Sequence, residues 1–76
     1  MWICAKCIER EMEILGPYDT EEEVLDAMYD DVCNELGGED EFYDLDNDGD
    51  ANYDSQSKFA WANLHGINYD WKCFWI

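Results

Sequence analysis

The sequence predicts an α+β fold: one amphipathic helix packed on an antiparallel sheet of four or five strands. Three observations carry that expectation. Residues 21–36 repeat apolar side chains at helical spacing, the clearest element in the chain. Both ends of the chain alternate apolar and polar residues, as half-buried strands do. Four Trp, five Tyr and three Phe in 76 residues supply core-forming rings that a disordered acidic tail would lack. That length suits one domain, residues 1–76, and is too short for two.

The elements follow in order. Residues 2–8 are rich in strand-compatible side chains, and Met12 and Ile14 alternate with Glu11 and Glu13. A turn near Glu9-Arg10 would join them as a hairpin. Gly16-Pro17-Tyr18-Asp19 is expected to break the strand. Thr20-Glu21-Glu22-Glu23 fits a capping box, with Thr20 as N-cap and Glu23 at the third helical position. Val24, Leu25, Met28, Val32 and Leu36 then recur on one helical face, and Gly37-Gly38 supplies the stop. Residues 39–57 read mostly as loop, with a short strand at 41–44. Phe59 and Trp61 share one face of a further strand. Ile67, Tyr69, Trp71, Cys73 and Trp75 share one face of another, with His65-Gly66 as the turn between. A helix over 57–65 is the competing reading of the first of these. Tyr69, Trp71 and Trp75 are expected in the core, with Phe74 outward.

Charge is the dominant chemical feature. Twenty Asp and Glu stand against four Lys and Arg, a net charge of −16. Solubility alone asks for about 2–8 in magnitude, and self-repulsion at this density destabilises a compact chain. Lys6 and Arg10 precede the acidic middle and Lys58 and Lys72 follow it; no basic residue falls between. On the helix, Glu23, Asp26 and Asp30 lie opposite the apolar stripe without the oppositely charged neighbours that usually support such a face. With Asp31, Glu35, Glu39, Asp40 and Glu41 they form the candidate partner-binding surface. Residues four apart on a helix are about 6 Å apart along its axis, whereas each duplex DNA strand carries a phosphate every ~3.4 Å. The acidic loop would therefore have to supply a second row for the surface to imitate a duplex.

In length, charge and the acidic run from Asp19 to Asp54, the chain resembles the small acidic DNA-mimic inhibitors of phages and mobile elements. That class includes anti-restriction, anti-CRISPR and glycosylase-inhibitor proteins. The resemblance implies a partner with a basic nucleic-acid-binding site: a host nuclease, a CRISPR effector or a repair enzyme. The charge itself implies no direct binding of nucleic acid or acidic lipid.

The alternative is a calcium-binding or acidic adaptor module. Asp44, Asp46 and Asp48, followed by Gly49, match the first half of an EF-hand loop, with Asp50 as a further candidate Ca²⁺ ligand. Ser55 stands where the bidentate Glu should be and Ala51 where an aliphatic residue is usual. A flexible acidic turn explains the same residues.

Cys4 and Cys7 have CxxC spacing, and Cys33, Cys73 or His65 could complete a zinc site. In a strand the two would point to opposite faces, so buried free thiols are the expectation. No phosphate loop, nucleophile elbow or redox CxxC context occurs, which points away from an enzyme. No segment is long and apolar enough to span a membrane. Met1-Trp2-Ile3-Cys4 lacks the basic start and apolar run of an export signal, so reduced thiols and a cytoplasmic location are expected. Trp2, Trp61, Trp71, Phe74 and Trp75 exceed what the core obviously needs. A partner or a homodimer could use the surplus.

Overall fold

The computed structural model describes residues 1–76. It has seven elements: β1 (Trp2–Ile8), β2 (Glu11–Tyr18), α1 (Glu21–Leu36), α2 (Glu39–Asn47), β3 (Ala51–Asp54), β4 (Phe59–Leu64) and β5 (Ile67–Trp75). The strands form one sheet in the order β2-β1-β5-β4-β3, antiparallel throughout. Both helices contribute their apolar sides to the same core, so the fold is α+β as the periodicity predicts.

α1 begins and ends where the sequence places it. Thr20 is extended, and its hydroxyl accepts from Glu23 N at 3.1 Å, which satisfies one orphan amide of the first turn. Gly37 closes the helix at φ 99°, and the Gly38 amide reaches back to Cys33 O at 2.7 Å. Val24, Met28, Val32 and Leu36 are buried in a strict four-residue row. Each such side chain contributes about 1.5–3 kcal/mol on burial.

The sheet meets this row with a size pattern that fits it. Ala51, Ala60 and Ala62 are buried in β3 and β4, so the helix can approach closely. Trp71 fills the centre, with Tyr69 stacked beside it at 5.9 Å. Cys4 and Cys73 are cross-strand partners, both buried and both free.

Three expectations are corrected. The 39–57 segment is not mostly loop: residues 39–47 are helical, and the strand lies at 51–54 instead of 41–44. Phe42 anchors α2 by packing edge-on against Tyr29 at 5.9 Å, and Glu39, Asp40 and Glu41 favour the positive end of the helix dipole. Gly16-Pro17 does not end the strand. β2 runs on to Tyr18 with an irregular register opposite Trp2–Cys4, as suits proline on an edge strand. Trp75 is not in the core but 63% exposed, because the helix layer stops short of that end of β5 and the ring packs edge-on against Trp2 at 5.6 Å. Residues 59–64 are strand, which excludes the helical alternative. His65 and Gly66, both at positive φ, make the hairpin turn.

Candidate acidic interface

The two helices define an acidic surface on the side away from the sheet. On α1, Glu22, Glu23, Asp26 and Asp30 are exposed, opposite the buried row of Val24, Met28, Val32 and Leu36. The glycine pair at 37 and 38, at φ 99° and 132°, lets the chain reverse within two residues. α2 then lies beside α1 and contributes exposed Glu39, Asp40, Glu41, Asp44 and Asp46. The acidic residues expected on a loop at 39–46 therefore lie on a helix instead.

Aromatic contacts hold the rows together. The Tyr29 ring on α1 packs edge-on against Phe42 of α2 and against Tyr53 of β3, the latter at 5.2 Å. Its hydroxyl donates to Glu39 Oε2 at 2.9 Å and lies 3.3 Å from the Tyr43 hydroxyl. The contact with Tyr43, burial and the bond to Glu39 hold the Tyr29 phenol well above its usual pKa. Tyr53 reaches the other way and donates to Leu25 O at 3.2 Å.

Two residues of the predicted surface belong elsewhere. Asp31 and Glu35 turn to the flank of α1 over β1, where Lys6 is buried. Lys6 Nζ lies 2.7 Å from Glu35 Oε1 and 3.0 Å from Asp31 Oδ2, with Glu13 at 3.7 Å. Asp31 Oδ2 also accepts from Trp71 Nε1 at 2.8 Å. Burial disfavours the Lys6 charge, but hydrogen bonds to Glu35 and Asp31 outweigh it and raise the pKa to about 12. These two carboxylates are structural counterions. Sequence spacing could not separate them from Asp26 and Asp30, because their partner is a lysine 25 residues from Asp31 and 29 from Glu35.

Most other carboxylates stand alone. Glu13, Glu21, Asp31 and Glu35 have a cationic partner; the other sixteen of the twenty acidic residues have none. The placement at the end of α2 is unfavourable in itself. Asp44 and Asp46 lie in its last turns, Asp48 is its C-cap, and no basic residue is present there. Negative charge at a helix C-terminus opposes the macrodipole.

Asp44, Asp46, Asp48 and Asp50, the candidate calcium ligands, are not gathered around one point. Asp44 and Asp46 are two apart on a helix and so diverge. Asp48 caps that helix, Asp50 follows Gly49 in a tight turn, and β3 starts at Ala51. Asp54 instead caps the β3–β4 turn by accepting from Gln56 N and Ser57 N, which lowers its carboxyl pKa. No three His, Cys, Asp or Glu side chains come close enough to share an ion. The zinc candidates are likewise apart: Cys4 and Cys73 are in the core, Cys7 is on the other face of the sheet, Cys33 is on α1 and His65 is at a hairpin tip. No helix is long and apolar enough to cross a membrane. Comparison with known protein families, curated proteins and solved structures found no match.

Proposed function

We propose that this protein is an acidic nucleic-acid mimic. Its helical face occupies the phosphate-binding cleft of a basic protein and so inhibits it. The observation that carries this reading is the paired rows of uncompensated carboxylates on α1 and α2, including aspartates where the helix dipole disfavours them. The helix dipole favours Glu39, Asp40 and Glu41 in the first turn of α2 but opposes Asp44, Asp46 and Asp48 at its end, so folding stability alone does not account for the rows, whereas a ligand for a cationic cleft uses all of them.

The mechanism is electrostatic and steric. Carboxylates at Glu23, Asp26, Asp30, Glu39, Asp40 and Glu41 would meet lysines and arginines that otherwise hold phosphates. The −16 charge would steer the encounter. The rigid helix pair would then exclude nucleic acid from the same cleft, without any bond being made or broken. A host defence nuclease, such as a CRISPR effector or restriction enzyme, is the target class this chemistry suits. A phage or mobile-element origin and action in the host cytoplasm accord with it.

The test is capture of partners from bacterial lysate at low salt, followed by elution with duplex DNA or RNA. A nuclease, CRISPR effector or repair enzyme displaced by nucleic acid is the expected result. Asp26→Lys with Asp30→Lys should then weaken its affinity at least about 100-fold, as loss of several close charge contacts does. Affinity that ignores salt and survives both changes would overturn mimicry.

A further inference from the structure

We propose that the sheet face opposite the helices is the interface of a homodimer, so that two copies pack back to back with their acidic helices outward. Directly paired residues share a face of a sheet, and the register pairs Ile3 with Phe74, Cys7 with Met12, Ala5 with Ile14 and Phe59 with Lys72. None of these side chains faces α1 or α2. The result is a broad apolar surface whose principal members are Ile3, Met12, Ile14, Phe59, Trp61 and Phe74. Met12 is 71% exposed, Ile14 52% and Phe74 44%. A shallow hollow of about 380 Å³ lies among Ala5, Met12, Phe59, Phe74 and the charged pair Asp70 and Lys72. Asp70 and Lys72 of β5 lie between its two apolar sides, and apolar surface of this extent on a small chain marks an interaction site.

Charge favours a second copy over a basic partner as the occupant. The fold has sorted its charges between the two faces. Glu11 and Glu13 pair with Ile8 and Lys6 on the helix side of the sheet, and the helical carboxylates point away from it. The open face keeps only Asp70 and Lys72 near its centre and Asp54 at its rim, bound into its own turn. A basic partner finds almost nothing to bind there. Two copies of a −16 chain repel least when they meet through this face. About a two-fold axis, Lys72 of one copy can approach Asp70 of the other, the self-complementarity an isologous contact requires.

The size is adequate. Five strands about 4.8 Å apart, the longest about 30 Å, make a face of roughly 600 Å² before side-chain relief is counted. A specific dimer buries about 600–1,000 Å² per partner. Aligned face-to-face packing of two twisted sheets is a standard way to close such a surface.

Sedimentation equilibrium on the full chain tests the proposal. A mass of about 18 kDa is expected, twice the 9.0 kDa of one chain. The dimer should tighten with salt, because salt screens the repulsion between copies and leaves apolar burial intact. Ile14→Glu with Phe74→Glu should return the mass to 9.0 kDa with an unchanged circular dichroism spectrum. Met12→Glu, at a position too exposed to disturb folding, should alone raise the dissociation constant at least about tenfold. A chain that stays at 9.0 kDa at every concentration and salt level overturns the proposal, as does a dimer whose affinity Met12→Glu leaves unchanged. The proposal does not rest on mimicry: a monomeric Ile14→Glu/Phe74→Glu variant that still binds a nuclease would separate the two.

Discussion

Lys6 Nζ lies 3.0 Å from Asp31 Oδ2, the same oxygen that accepts from Trp71 Nε1 at 2.8 Å. One carboxylate thus ties β1 and β5 to α1, and the largest side chain of the core has its only polar atom satisfied. An indole N–H buried without a partner would cost about 1–3 kcal/mol. The cation that holds Asp31 in place is one of only four in the chain.

Lys6→Met should therefore destabilise the fold although it adds apolar bulk. It strands Asp31 and Glu35, whose side chains are only 20% and 31% exposed. Breaking a fully buried pair costs about 3–5 kcal/mol, and this partial exposure lowers the expectation to about 2–3 kcal/mol. Urea unfolding measures it. A loss under about 0.5 kcal/mol would mean that the network contributes little.

The same lysine makes a pH prediction. Its pKa rises from 10.5 to about 12 on folding, so the folded state binds its proton more tightly. The resulting stabilisation is fully present below pH 10.5 and is lost as pH rises through about 12. The stability gap between wild type and Lys6→Met should narrow over that window. A gap that widens would reverse the assignment.

Charge at the end of α2 separates stability from function. Asp46→Lys removes an unfavourable dipole interaction and should stabilise the fold by about 0.3–1 kcal/mol. If the helical face binds a cationic cleft, the same change weakens that complex. Thermal unfolding and target binding, measured on one protein, should move in opposite directions. Stabilisation with undiminished binding would place the contact elsewhere.

Divalent cations should act only as diffuse counterions. Calcium and magnesium at equal concentration are expected to raise the melting temperature equally. A true calcium site at a hundredfold excess over its Kd would add about 2.7 kcal/mol. For a domain of this size, each kcal/mol is worth about 4–8 °C in Tm. A calcium-specific rise of that size would restore an ion site to residues 44–55.

Local pattern determined much of this protein. Thr20, the 24-28-32-36 row and Gly37 specify α1 because caps and a four-residue period act within one or two turns. Alternation specifies the strands, and His65-Gly66 the last hairpin. The charge of −16 and its confinement to the middle of the chain are likewise properties of the sequence alone. Tertiary structure decided the rest. α2 forms because Phe42 finds Tyr29, a contact between elements that no window over the turn-forming residues 44–50 contains. Asp31 and Glu35 leave the acidic surface because folding brings Lys6 to them, while Asp26 and Asp30 on the same helix meet no cation. Alternation shows that a strand has two faces, but only the position of the helices says which face is covered. In β4 it is the alanine face, so Phe59 and Trp61 are left on the open side.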